Sequence, residues 1–322
     1  MSDNKNSTHI LVTGGAGYIG SACVHALLAA GYQVTVFDDL STGQRSHVPT
    51  AATLIVGDIT DQRAVEKACG SAPFSAVIHL AAKKAVGESE QDPALYFQTN
   101  VVGSANLLAA LTKYAIPLVI FSSTAVVYRS VSDTTLLRED MPLAPQNVYG
   151  LTKQITEEMI TAYQRTGALR QAIIFRYFNV AGDTGLHYHD QQSQNIFPLL
   201  LRTLKTGAPF SIFGTDYPTP DGTCIRDYVH LADIVDAHLR AIRSDRSGVY
   251  NLASGTGYSV RQVVAAFAEI SGQSLQPIET SRRPGDPACL CASAEKAQRE
   301  LGWVATRSLE DMVRSALAVE SE

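Results

Sequence analysis

Tyr149 and Lys153 lie four residues apart in a segment that reads as a helix, so their side chains share one face. A phenol with an ordinary pKa near ~10 is a poor base at neutral pH. An ammonium beside it favours the phenolate and lowers that value, and any further positive charge in the site does the same. The pair is therefore expected to supply a base able to take a proton from an alcohol. Thr124 follows the apolar run Leu118 to Ser122 and offers a hydroxyl that can bridge the reacting oxygen and the phenol. In isolation, a Tyr and a Lys at this spacing are more often a surface pair on an amphipathic helix. A second motif has to give them a redox partner.

That motif stands near the start of the chain. Gly14, Gly17 and Gly20 form G-x-x-G-x-x-G directly after the short apolar strand Ile10 to Thr13 and directly before a helical pattern carrying Val24, Leu27 and Leu28. Glycines there let the backbone turn tightly and approach a pyrophosphate, and the helix N-terminus favours its negative charge. A second strand, Gln33 to Phe37, ends in Asp38-Asp39, close to the offset of a ribose-binding acid. A carboxylate there accepts from both ribose hydroxyls of NAD and repels the 2′-phosphate of NADP. Asp39 adds to that repulsion, and the nearest basic residue, Arg45, lies well into a loop. NAD is the expected cofactor. Asp58, closing a third strand over Leu54 to Val56, is expected to accept from the adenine amino group or, alternatively, to cap a helix.

The elements that must position these residues alternate. A fourth strand runs from Ala76 to Leu80 and ends in Ala81-Ala82, a helix is expected from about Pro93 to Tyr114, and a sixth strand covers 172–177. Strands alternating with helices give an α/β fold with a doubly wound parallel sheet, Rossmann-type, and helices on both faces. After Asn179 the pattern loosens, and 181–226 is rich in Gly, Pro, Gln and Thr, as expected of a smaller C-terminal α/β substrate lobe. Helical pieces follow at about 259–271, 293–301 and 308–318. The expected division is a flexible extension over 1–9, a dinucleotide-binding domain over 10–178 to which about 231–256 returns, and a substrate domain over 179–230 and 257–322.

Composition narrows the classes. With 322 residues, 45% of them hydrophobic, the chain is long enough for a large core. Its formal charge of −5 gives no electrostatic reason to expect nucleic acid or an anionic membrane as partner. No apolar run is long enough to cross a bilayer. The five cysteines, Cys23, Cys69, Cys224, Cys289 and Cys291, form no C-x-x-C pair, so reduced thiols in a cytoplasmic protein are expected. Cys289 and Cys291 alternate along an apolar stretch and are expected on one strand face. His187 and His189 flank Tyr188 without further ligand candidates, and no metal site is expected.

Several landmarks occur in order: Thr13-Gly-Gly-x-Gly-Tyr-Ile-Gly20, Lys84-Ala-Val-Gly-Glu-Ser89, Ser122-Ser-Thr124, Tyr149-x-x-x-Lys153, Arg176-Tyr-Phe-Asn179, Asp221-Gly-Thr223 with Arg226-Asp-Tyr-Val-His230, and Arg282-Arg-Pro-Gly-Asp286. Together they resemble the UDP-sugar 4-epimerases of the extended short-chain dehydrogenase/reductase family. The resemblance spans roughly 10–312.

The resemblance implies transient oxidation of a sugar 4-hydroxyl with tightly bound NAD, turning of the 4-keto sugar about its diphosphate, and reduction from the other face. UDP-glucose and UDP-galactose are the expected pair, and a homodimer the expected assembly. Thr124, Tyr149 and Lys153 are the implied catalytic residues. The implied cofactor site comprises Gly14, Gly17, Tyr18, Ile19, Gly20, Asp38, Asp39, Leu40, Asp58, Ile59, Leu80, Ala81, Ala82, Lys84 and Phe178, with Tyr149 and Lys153 at its nicotinamide end. Thr124, Asn179, Asn195, Arg226, Arg283 and Asp286 are the implied substrate groups. The arginines offer forked donors suited to phosphate, and Asp286 takes the uridine ribose. Arg129 stands where the family usually has glycine, which implies an altered loop after Tyr128. Leu290 falls where the family adjusts room for a 2-N-acetyl group, leaving UDP-GlcNAc/GalNAc, UDP-glucuronate and UDP-pentoses as alternative substrates. A related dehydratase would carry Asp-Glu directly after Thr124, where this chain has Ala125 and Val126. A non-catalytic NAD-binding regulator would not need Tyr149 and Lys153.

Overall fold

The computed structural model describes residues 8–129, 135–188, 195–283 and 286–319. Residues 1–7 of the expected N-terminal extension, His189 and Asp190, and Pro284 and Gly285 lie outside the described residues. The chain divides into two compact units: Met1–Val127 with Pro145–Arg176 and Val235–Tyr250, and Tyr128–Ala144 with Tyr177–Ile234 and Asn251–Glu322.

With strands numbered along the chain, the first unit is built on β1 (His9–Thr13), β2 (Gln33–Asp38), β3 (Thr53–Val56), β4 (Phe74–His79), β5 (Leu118–Thr124), β6 (Gln171–Tyr177) and β10 (Gly248–Leu252). They form a seven-stranded sheet in the order β10-β6-β5-β4-β1-β2-β3. The pairs from β3 to β5 are parallel, with Val12 opposite both Val36 and Ile78. The chain lays β2 and β3 on one side of β1, then returns to place β4 on the other. This reversal opens a crevice beyond the carboxyl ends of β1 and β4, where sheets of this kind take ligands.

Helices α1 (Tyr18–Ala29), α2 (Gln62–Cys69), α3 (Val86–Gln91), α4 (Pro93–Tyr96), α5 (Gly103–Lys113) and α6 (Val148–Arg165) accompany the sheet, and α8 (Leu231–Arg243) packs His238 on Phe175 of β6. Strand residues Leu11, Phe37, Val77, Val119, Phe121 and Ile174 bury against Leu107, Leu108 and Leu111 of α5 and Ile160 of α6. Each such side chain contributes about 1.5–3 kcal/mol by leaving water. The single helix expected over 93–114 is interrupted: Phe97–Val102 is a π-helix, a local widening that shifts the faces of the turns around it.

The second unit contains β7 (Asn179–Ala181), α7 (Ile196–Thr206), β8 (Ser211–Phe213), β9 (Ile225–His230), β11 (Gly257–Ser259), α9 (Val260–Ser271), β12 (Ile278–Thr280), β13 (Cys289–Leu290), α10 (Glu295–Leu301) and α11 (Leu309–Ala318). Strand β9 pairs antiparallel with β11 and parallel with β13 and β7, and β8 pairs parallel with β12. The core sets Phe197, Leu200 and Leu201 of α7 and Phe267 of α9 against Met312 and Val313 of α11. Both α9 and α11 start with a capping box, Ser259 with Gln262 and Ser308 with Asp311.

The compact units depart from the expected boundaries at 128–144, which group with the second unit. Asn251 is the physical reason. Its Oδ1 accepts from the Tyr128 hydroxyl at 2.6 Å, its Nδ2 donates to the Leu137 carbonyl at 3.1 Å, and its N–H donates to Glu139 Oε1 at 2.8 Å. The returning segment is 235–250, shorter than expected. Arg129 is exposed, and its N–H faces the Pro142 carbonyl at 3.4 Å. All five cysteines are buried free thiols, and Cys289 and Cys291 share a face with sulfurs 3.6 Å apart. Among the described residues no helix is long and apolar enough to cross a membrane.

Candidate active site

The catalytic candidates converge at the carboxyl end of β5. Asn147 caps α6 by accepting from the Gly150 N–H at 2.8 Å, which fixes where the helix begins and so where Tyr149 and Lys153 face. The Thr124 hydroxyl lies near the Tyr149 phenol and favours its ionised form. Lys153 Nζ donates to the Ser122 carbonyl at 2.8 Å and lies 4.8 Å from the centre of the Phe121 ring. The Tyr149 N–H donates to Ser89 Oγ at 3.2 Å, which ties α3 to the same place.

The electrostatics correct one expectation. The Tyr149 phenol is pushed up to about 12 by desolvation, with the nearby Thr124 hydroxyl pulling the other way. Lys153, buried at the base of the site, is pulled down to about 7 by desolvation against the opposing pull of Glu157. The groups of the protein alone therefore do not produce a low-pKa phenol. The positive charge that would complete the effect has to come from what the crevice binds.

The glycine loop fits a dinucleotide. Gly14 has φ +73°, and a Cβ there would lie 2.6 Å from the Ala81 nitrogen; one at Gly20 would lie 2.0 Å from the Gly14 carbonyl oxygen. Backbone thus packs on backbone, and the first turn of α1 opens beside Gly17 with no acidic side chain in it. Asp38, buried at the end of β2, differs from the simple expectation of a free ribose acceptor. Its Oδ2 accepts from the Ala16 N–H at 2.9 Å and its Oδ1 from the Leu40 N–H at 2.8 Å. It shapes the glycine loop and holds Leu40 at φ +60°, and each oxygen keeps one acceptor direction. Burial raises its pKa, against the two backbone bonds that lower it. Asp39 and Asp58 are exposed and turn back on the N–H groups of Ser41 and Thr60, respectively. Tyr18 and Ile19 begin α1, while Leu80, Ala81 and Ala82 follow β4, with Lys84 exposed beyond them; Ile59 is buried.

A buried polar chain that sequence reasoning missed braces this rim. The Thr13 hydroxyl meets His79 Nδ1 at 2.8 Å, and His79 Nε2 meets Ser104 Oγ at 2.9 Å. Ser104 spends its proton on the Asn100 carbonyl, so His79 donates from Nε2 and accepts at Nδ1. Burial, with Lys153 second, pulls His79 down to about 3 and keeps it neutral. Asn100, inside the π-helix, accepts from the Lys83 N–H at 2.8 Å and donates to the Lys83 carbonyl at 2.9 Å and to Thr152 Oγ1 at 3.0 Å. It thereby ties the segment after β4 to the catalytic helix.

Apart from Thr124, the substrate candidates lie in the second unit. Arg226 of β9 donates to Asp286 Oδ1 at 2.9 Å and to the Pro287 carbonyl at 2.9 Å. Arg283 stacks its guanidinium 3.9 Å from the centre of the Phe213 ring, and its carbonyl accepts from the Asp286 N–H. Asn179 of β7 donates to the Asp227 carbonyl at 3.1 Å, next to buried Phe178. Asn195 stands at the N-cap of α7. The structure thus joins Arg226, Arg283 and Asp286 in one cluster and holds Asn179 on the neighbouring strand. Asp227, not anticipated from sequence, organises this face: it accepts from the N–H groups of Ser254 and Gly255, and burial raises it to about 6.

A family model described as the NAD dependent epimerase/dehydratase family matches residues 10–253. The chain belongs to that family. Its fold class, a Rossmann-type α/β sheet, is shared with solved members. A UDP-glucose 4-epimerase of Corynebacterium glutamicum is 42% identical over 97% of this chain and 95% of its own length. The crystal structure of UDP-glucose 4-epimerase from Brucella ovis in complex with NAD superposes with a TM-score of 0.92 at 35% identity, covering 97% of this chain and 98% of that one. The enzyme from Bifidobacterium longum, solved with NAD+ and UDP, gives 0.90 at 32% identity over 98% of both.

Proposed function

We propose that the chain interconverts UDP-glucose and UDP-galactose at C4 with NAD bound in the glycine-lined crevice. The observation that carries this reading is Lys153 pinned to the Ser122 carbonyl one helical turn on from Tyr149, with the Thr124 hydroxyl near the phenol. When bound, NAD supplies acceptance and return of a hydride at the sugar carbon. Thr124 and Tyr149 take up and give back the proton of the 4-oxygen. Lys153, pinned to the Ser122 carbonyl on the helix face it shares with Tyr149, binds the nicotinamide ribose. Gly14, Gly17 and Gly20 admit the pyrophosphate, and Asp38 offers its remaining acceptor directions to the adenosine ribose. Arg226, Arg283, Asp286 and Asn179 hold the uridine diphosphate.

The relatives named UDP-glucose 4-epimerase support the choice of sugar. The test is incubation with UDP-glucose, UDP-galactose and their N-acetyl forms, with products separated. Conversion of the first pair is expected, and its loss in Tyr149→Phe with NAD still bound. Absence of turnover with every UDP-hexose despite bound NAD would overturn the reading in favour of a binding protein.

A further inference from the structure

Three consecutive residues of β5 each meet α6. The Ser122 carbonyl accepts from Lys153, the Ser123 hydroxyl donates to Glu157 Oε1, and the Thr124 hydroxyl lies near the Tyr149 phenol. Two of these contacts belong to the candidate chemistry already described. The third falls at the next step of the same helical repeat, since 149, 153 and 157 share a face.

Glu157 is held from a second side. Arg176 of β6 donates from Nε to its Oε1 at 3.0 Å and from Nη2 to its Oε2 at 2.6 Å, in a fork geometry. Both side chains are almost sealed, at 4% and 6% exposure. A buried ion pair is a weak source of stability, because apolar residues of similar volume often serve as well. Its value lies in geometry: two strands, β5 and β6, are fixed to one point on α6.

We propose that Glu157 is a positioning residue for the proposed reaction, holding Ser123 against α6 and so setting the distance at which Thr124 and the Ser122 carbonyl meet Tyr149 and Lys153. The inference rests on the reading of Tyr149 as the base. Glu157 also bears on the charge of the site. The titratable groups that act on Lys153 are Glu157 on its own helix and His79 on β4, and Arg176 on β6 faces Glu157. Burial draws Lys153 down to about 7 and the Glu157 carboxylate opposes that. Removing the charge while keeping the shape lets burial act with less opposition.

The test compares the full chain with Glu157→Gln and Ser123→Ala, each carrying NAD. The Lys153 titration is followed by carbon NMR of labelled lysine side chains, with Lys153→Met identifying the resonance. In Glu157→Gln the Lys153 midpoint is expected to fall by about half a unit or more. The value of kcat is expected to fall by about 10- to 100-fold with KM within about two-fold of wild type. Ser123→Ala, which keeps the ion pair, is expected to lower kcat without moving the midpoint. An unmoved midpoint together with wild-type kcat in Glu157→Gln overturns the proposal, and so does wild-type kcat in Ser123→Ala, which decides the matter if Glu157→Gln fails to fold. A wild-type chain that turns over no UDP-hexose sinks the functional reading instead. The NMR midpoint then still reads the hold of Glu157 on Lys153.

Discussion

Gly17 and Gly20 separate what the fold needs from what a ligand needs. Gly17 is the N-cap of α1 with φ −83° and ψ 178°, a conformation open to any residue. A Cβ there would meet nothing closer than the Gly14 carbonyl at 3.4 Å, an ordinary contact. Alanine at Gly17 should therefore change stability by no more than about 0.5 kcal/mol. At Gly20 the same methyl would stand 2.0 Å from the Gly14 oxygen and 2.8 Å from the Gly15 Cα, so backbone must move. That change should cost about 3 kcal/mol or more. Packing does not require glycine at Gly17 but an approaching phosphate does, and a methyl on that surface should raise the Kd for NAD at least about tenfold, or 1.4 kcal/mol. Urea unfolding of nucleotide-stripped protein gives the stabilities, and calorimetric titration with NAD gives the affinity. A Gly17→Ala protein that binds NAD like wild type, or unfolds like Gly20→Ala, would refute the argument.

Thr124→Val should lower kcat by about 10²–10³ while leaving the Kd for NAD unchanged, since it removes a proton path and no cofactor contact; calorimetry beside turnover assays checks both. Asn100→Ala removes three buried hydrogen bonds of about 1 kcal/mol each. A loss near 3 kcal/mol in the urea-extrapolated stability is expected, and a loss under 1 would show that the bracing is slack. Asp227 has its folded pKa raised to about 6. The folded state then binds more protons than the unfolded one from about pH 4 to 6, so stability falls as pH rises through that window, by on the order of 3 kcal/mol. Above it both states are charged and the effect is complete. Denaturation of wild type against Asp227→Asn across the window should show the slope only in the wild type.

Much of the first unit was legible because its signals are contiguous. β1, the glycine loop and α1 occupy one uninterrupted stretch, and Tyr149 and Lys153 sit on one helix after an Asn cap. The Asn100 brace was not legible, because a π-helix has no composition of its own and its contacts reach residues 17 and 52 positions away. Glu157 drew no attention, because its partners Ser123 and Arg176 lie 34 and 19 positions away. The signal that would have found it is the continuation of the 149, 153 spacing by one more step. In the second unit, α7 was hidden by Pro198 and its loop-like surroundings, although proline is tolerated in a first turn. The Arg226–Asp286 pair joins residues 60 apart, and the resemblance assigned the two to different parts of the nucleotide without linking them. The lowered Tyr149 pKa was expected from charge alone, and desolvation, which only burial reveals, reversed it.

Strand β10 has a bearing on how the protein is born. It closes one end of the seven-stranded sheet against β6, yet it reaches Leu252 only about 75 residues after Tyr177. At ribosomal speeds β6 therefore waits some 4 to 15 s, roughly, with one hydrogen-bonding edge unpaired. The strand is apolar over most of its length, QAIIFRY, which makes that interval the stage at which a nascent chain is most open to mispairing with another. Slower translation through 178–248 should lower the soluble yield even though it alters no residue of the finished protein.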